Sequence, residues 1–140
     1  MSGALRGLVV LDLTREVWGG LSAALLGDFG ARVVRVENLN GPRPDWDRDG
    51  EHPPGEHQAL AKLVHRNKQS VGLALAHEAG RATLEALVGA ADVFLTDWGL
   101  DELAALGLTA ERVQTLRPEM IYARGSGICL LYTSPSPRDS

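Results

Sequence analysis

The chain has 140 residues, 44% of them apolar, and a formal net charge of −4 with its Arg and Lys scattered rather than clustered. That length suits one domain able to bury a sizeable core, and an acidic balance without a basic stripe argues against a nucleic-acid surface. There is no apolar run long enough to span a membrane and no basic-then-apolar N-terminus, so no membrane partner and a cytoplasmic address are expected.

In chain order, residues 7–37 lay out a strand, a turn, a helix and a second strand, the size of one βαβ unit. Residues 8–13 and 33–36 are near-continuous apolar runs, as in parallel strands covered on both faces. Leu21, Leu25, Leu26 and Phe29 recur between them at helical spacing and are expected to face inward. The turn Thr14-Arg15-Glu16-Val17-Trp18-Gly19-Gly20 has neither the GxGxxG nor the GxxxxGK[ST] pattern, so ordinary dinucleotide and P-loop binding are disfavoured. It nonetheless sits where open α/β sheets bind ligands, outside the carboxyl ends of strands.

A polar loop at 38–56, rich in Gly and Pro, exceeds ordinary connections and is expected to be functional or mobile. A helix at 57–65 follows, then Arg66-Asn67-Lys68-Gln69 as a turn into a strand at 70–75. Arg66 and Lys68 read as a solvated turn, the alternative being a place near the phosphates of a bound nucleotide. A helix is expected at 78–88, with Leu84, Leu87 and Val88 inward, and a strand at 93–96. Short helices at 101–106 and 110–116, the latter capped by Thr109, precede a fifth strand at 120–123. The expected class is α/β with a Rossmann-like parallel sheet.

From Cys129 onward the pattern ends: CLLYTSPSPRDS has no period and resembles translated sequencing-adapter read-through. Residues 1–128 are therefore read as the domain and 129–140 as a non-native tail, the alternative being a disordered natural terminus. Cys129 is the only cysteine and cannot form an internal disulfide, in keeping with a reducing compartment.

Two stretches carry the spacing of metal ligands. Asp45-Trp46-Asp47-Arg48-Asp49-Gly50 followed by Glu56 satisfies the EF-hand spacing, but the entry Asn40-Gly41-Pro42-Arg43-Pro44 is not helical and Pro53-Pro54 removes donors. The bland reading is an acidic solvated loop. His57 and His65 are two helical turns apart with no third ligand, so zinc is not expected. The metal expectation is none.

Leu11-Asp12-Leu13-Thr14-Arg15, Gly19, Leu25-Leu26-Gly27-Asp28-Phe29-Gly30-Ala31 and Val33-Val34-Arg35-Val36-Glu37 resemble the opening of family III CoA transferases. In order there follow Arg66-Asn67-Lys68-Gln69-Ser70, Gly80-Arg81, Ala91-Asp92-Val93, Leu106-Gly107-Leu108, Arg117-Pro118-Glu119-Met120-Ile121-Tyr122-Ala123 and Ser126-Gly127. The similarity covers residues 5–127. It implies the N-terminal part of a longer enzyme's large domain, whose complete form moves coenzyme A between carboxylic acids as two interlocked chains. In such enzymes an Asp carboxylate attacks the acyl-CoA carbonyl, expels CoA thiolate and is then converted to an aspartyl thioester that the acceptor carboxylate opens. That Asp lies beyond Ser126-Gly127, so no catalytic residue is assigned here and the chain alone is expected to be silent. The rival within the family is an α-methylacyl-CoA racemase. From another class, a calcium-binding or structural α/β module is the alternative.

Coenzyme A and acyl-CoA enter as substrates, with a carboxylic acid acceptor, and no permanently bound cofactor is implied. Carried across position by position, the resemblance assigns CoA contacts to Val17, Trp18, Asn38, Leu73, Ala74, Leu75, Ala76, Asp97, Trp98 and Gly99. Trp18 replaces a usual small residue, Gly20 and Leu100 each a usual Pro, and Ala105 an Arg that often meets a CoA phosphate. Trp18 reads equally as a stacking surface for acyl or pantetheine groups or as packing at the helix start. Asp97 reads as a cap for the helix after the fourth strand in preference to a ligand contact.

Overall fold

In the computed structural model, which describes residues 3–42 and 55–126, five strands form one parallel sheet in the order β3-β2-β1-β4-β5. The strands are β1 (Val9–Leu13), β2 (Arg32–Asn38), β3 (Lys68–Leu73), β4 (Val93–Thr96) and β5 (Ile121–Arg124). Helices α1 (Val17–Asp28) and α2 (Glu56–His65) cover one face. Helices α3 (Glu78–Ala90), α4 (Leu100–Ala105) and α5 (Ala110–Leu116) cover the other. The elements alternate as the sequence implies. Residues 43–54, which hold all of the calcium-type motif except Glu56 at the start of α2, and the tail at 129–140 lie outside the described residues.

Period-two alternation divides the strands between the two layers. On the α3/α4/α5 side, Leu11, Leu13, Val36, Leu73 and Phe94 join Leu84, Val88, Leu103 and Val113 in the larger core. On the α1 side, Val10, Ala23, Ala31 and Val33 form a smaller one. Leu5, Leu26, Val93 and Leu95 pack partly buried against it, and charged residues interrupt it at the β1–β2–β3 side. Asp12 and Arg35, register partners on β1 and β2, are both buried.

Three readings need correction here. Helix α1 buries its small residues more deeply than its large ones: Leu25 is 50% exposed and Phe29, just past its end, 58%, while Leu26 packs only partly buried against the smaller core, Leu21 is half-buried, and Gly19, Gly20, Ala23 and Ala24 are buried. Small residues let the helix lie close, and a Cβ on Gly20 would stand 2.2 Å from Val64 Cγ1 of α2. Secondly, β3 begins at Lys68, two residues earlier than its apolar run. Finally, Lys68 is no solvated turn residue. Its side chain is buried with Nζ 2.6 Å from Asp12 Oδ2, and it also donates to the Gly20 carbonyl at 2.8 Å. Arg66, by contrast, is partly exposed and donates to Asp28 at 2.8 Å.

Asn67 turns the chain between α2 and β3 with φ of 58°, a left-handed conformation that Asn tolerates better than most residues. Gly80 allows α3 to close onto the end of β3, since a Cβ there would meet the Ala74 carbonyl oxygen at 2.2 Å. Arg81 adds hydrogen bonds to the Leu75 and Ala76 carbonyls.

Candidate functional site

The chain runs from β1 outward to β2 and β3, then returns to the other side of β1 for β4 and β5. Consecutive βα loops therefore diverge above β1 and β4, leaving a crevice at the carboxyl edge, the usual ligand position in this architecture. Residues 14–16 border it from β1 and residues 97–99 from β4.

These two loops are tied together by one carboxylate. Asp97 accepts from the Arg15 backbone N–H at 2.9 Å and from the Glu16 N–H at 2.7 Å, satisfying donors just ahead of α1. Burial pushes the Asp97 carboxyl above its ordinary range, with the Glu16 and Arg15 N–H groups opposing the shift. Gly19 makes the approach possible, because a Cβ there would lie 2.9 Å from Asp97 Oδ2 and from Thr14. Asp97 thus serves the helix after β1 and does not cap α4. The Gly99 N–H at the start of α4 goes instead to Glu102 at 2.9 Å.

Side chains repeat the link. Arg15 donates to Glu102 through Nη1 and Nη2 at 2.9 and 2.7 Å, a bidentate pair. Its guanidinium carbon lies 4.5 Å from the Trp98 ring centroid, within cation-π range. The Arg15 pairing holds the Glu102 carboxyl below its usual range. Beneath Arg15, Trp98 is buried, and its Nε1–H has no partner among the described residues.

The structure sorts the other expected contacts by access. Val17 is half-buried at the start of α1 and Trp18 is exposed beside it. At the β2 end, Asn38 Oδ1 accepts from the Leu75 N–H at 3.4 Å, joining the exits of β2 and β3. Leu73 and Leu75 are core side chains, so only half-buried Ala74 and exposed Ala76 offer side-chain surface in that stretch. Gly99 is exposed. Val17, Trp18, Asp97, Trp98 and Gly99 gather at the crevice, while Asn38 and residues 73–76 stand at the far side above β2 and β3.

Beneath α1 and α2 lies a polar cluster that sequence reasoning passed over. Asp12 Oδ1 accepts from the Thr14 N–H and hydroxyl at 3.1 and 2.6 Å, leaving Oδ2 to Lys68. The Arg35 guanidinium contacts the His65 ring nitrogens. Burial, with the Arg35 and Lys68 charges added, lowers the His65 pKa to about 4, so the ring is neutral at pH 7. The signal was present in the sequence: Asp12 and Arg35 interrupt apolar strands at positions of one parity. Among the described residues no three His, Cys, Asp or Glu side chains come together as metal ligands, and no helix is long and apolar enough to cross a membrane.

Comparison with known proteins places this scaffold. The profile of CoA-transferase family III matches residues 5–129. The chain belongs to that family. It is 32% identical over 125 residues to succinyl-CoA:glutarate CoA-transferase of Homo sapiens, covering 88% of this chain and 28% of the relative. It is also 32% identical over 127 residues to acetyl-CoA:oxalate CoA-transferase of Acetobacter aceti, covering 89% of this chain and 32% of that one. The crystal structure of a CAIB/BAIF family protein from Brucella suis superposes with a TM-score of 0.76 at 30% identity, over 89% of this chain and 33% of the other. This family III chain therefore spans about 30% of the length of the curated relatives it matches.

Proposed function

We propose that this chain forms the coenzyme A side of an enzyme that transfers CoA between carboxylic acids, with the β1/β4 crevice receiving the thioester. The observation that carries this reading is the switch-point crevice itself. Its two bounding loops are locked by Asp97 and Arg15, so a ligand meets walls that are already ordered. Val17 and Trp18 are assigned to the acyl end of CoA. Asn38, Ala74 and Ala76 are assigned to the nucleotide end, with the loop of Asp97 and Gly99 between them. Leu73, Leu75 and Trp98 support these contacts from the core.

Four of the five described aspartates are held in structural contacts, the fifth, Asp101, being exposed in the first turn of α4. Asp12 is buried against Lys68, Asp28 pairs with Arg66, Asp92 pairs with Arg117, and Asp97 is held by backbone N–H groups. The attacking carboxylate is assigned to the region past Ser126-Gly127 in the longer form, where it displaces CoA thiolate to form a mixed anhydride. The thiolate then attacks the aspartyl carbonyl and expels the donor carboxylate, and the acceptor acid opens the resulting aspartyl thioester by the reverse steps. Relatives at 32% identity carry transferase names, which favours transfer over racemisation. The longer form is assigned to the cytoplasm as an interlocked homodimer with no resident cofactor.

Calorimetric titration of the 140-residue chain with coenzyme A tests this. Saturable binding without acyl exchange is the expected result. Absence of binding, or turnover of acyl-CoA by this chain alone, overturns the assignment.

A further inference from the structure

Trp18 belongs to the first turn of α1 and is 41% exposed, yet its ring reaches well beyond its own βα unit. A Cβ built on Gly125 would fall 1.8 Å from Trp18 Cη2 and 2.2 Å from Cζ3, so the indole lies directly on the Gly125 backbone. Gly125 in turn donates its N–H to the Thr96 carbonyl at 2.9 Å, extending the β4/β5 ladder past the carboxyl edge. With β4 between β1 and β5, and neighbouring strands about 4.8 Å apart, the ring must overhang the end of β4 to make this contact. It is a bridge from α1 to the β5 turn across one side of the crevice. Its exposed surface is flat and largely apolar, suited to a hydrocarbon group rather than a phosphate.

We infer that Trp18 is a specificity-determining residue: the indole on Gly125 closes the β5 side of the crevice and confines the acyl group of a bound thioester to a short chain. This inference rests on the proposed thioester-binding function and adds the class of acyl group. An acyl chain growing toward β5 meets the ring and must displace it from Gly125. Gly125 is the partner that lets the ring lie flat. Enlarging it lifts the ring without removing it.

The test is calorimetric titration of the 140-residue chain with coenzyme A, acetyl-CoA and octanoyl-CoA, for the parent and for Trp18→Ala, Trp18→Phe and Gly125→Ala, with folding checked by far-UV circular dichroism. The parent is expected to bind acetyl-CoA more tightly than octanoyl-CoA. Trp18→Ala should move the octanoyl-to-acetyl affinity ratio upward by about tenfold or more, the scale on which apolar pockets discriminate by size, each variant's ratio being taken within that variant so that any change in its affinity for the coenzyme A moiety cancels. Gly125→Ala should move it in the same direction, and Trp18→Phe less far. Should Trp18→Ala not fold, Gly125→Ala and Trp18→Phe decide. Unchanged ratios in folded variants that still bind coenzyme A overturn the inference and leave the proposed function standing. A parent that binds none of the three ligands overturns both.

Discussion

Replacing Lys68 by Met removes one charge from an ion pair almost sealed from water: the Lys68 and Asp12 side chains are 2% and 1% exposed, with 2.6 Å between Nζ and Oδ2. The methionine fills a similar volume, so the cost is electrostatic. Asp12 keeps its two bonds from Thr14 on Oδ1, but Oδ2 loses its cation and the Gly20 carbonyl loses a donor. Breaking a buried pair from one side costs about 3–5 kcal/mol. Arg35 beside Asp12 in the sheet offers some compensation, which points to the lower end of that range, about 3 kcal/mol. For a domain with a total stability of roughly 5–15 kcal/mol this is a large loss. Urea denaturation followed by circular dichroism measures it as a lower midpoint at unchanged slope. The double variant Asp12→Asn, Lys68→Met removes both charges of the pair, leaving Arg35 with Glu37 and His65, and should recover most of the deficit. Asp12→Asn alone should be milder than Lys68→Met, because burial already lowers the Lys68 pKa and eases loss of its proton. A Lys68→Met variant within 1 kcal/mol of the parent, or a double variant no better than the single, would refute the reasoning.

Three further outcomes are expected. His65 is neutral when folded down to about pH 4, whereas the unfolded chain takes up a proton near pH 6.5. Unfolding therefore gains protons between these values and stability falls as pH drops through that window, by about 1–2 kcal/mol after allowing for partial solvent screening. His65→Gln should flatten this part of the urea-midpoint profile, and an unchanged acid limb would exclude the assignment. Asp97→Ala strands the Arg15 and Glu16 N–H groups and should cost about 1–2 kcal/mol, the scale of losing a helix cap; faster amide exchange at residues 15–17 is the direct readout. Gly80→Ala forces a methyl against the Ala74 carbonyl and should cost about 1–3 kcal/mol by overpacking, seen as a lower thermal midpoint.

The alternation of strands and helices was legible because apolar runs and helical spacing are local. The 57–65 and 110–116 helices and the 93–96 strand fall within a residue of their expected limits. Strand order was not legible, since nothing local in residues 8–13 states that β1 lies between β2 and β4. Lys68 was misread for a related reason: its neighbours are polar, and only the fold brings Asp12, 56 positions earlier, against it. Asp97 was identified as a cap, but its helix was not, because the donors it serves lie 81 and 82 positions away. The turn holding Val17 and Trp18 is legible as a strand exit from the apolar run before it, whereas Gly99 enters only through the family resemblance. Leu73 and Leu75 mark where a strand motif names core residues along with surface ones.

The inverted packing of α1 carries a consequence for how its sequence can vary. On an ordinary amphipathic helix the inward positions tolerate exchange among large hydrophobes and the outward positions accept hydrophilic groups. Here the most buried positions, 19, 20, 23 and 24, hold hydrogens and methyls, with Leu26 only partly buried beside them, and Gly20 already stands where one added carbon would strike Val64. A saturation scan of residues 17–28 should therefore read back to front: bulky aliphatics excluded at 20, 23 and 24, and almost any hydrophilic residue admitted at 25, where helical wheels would have forbidden it.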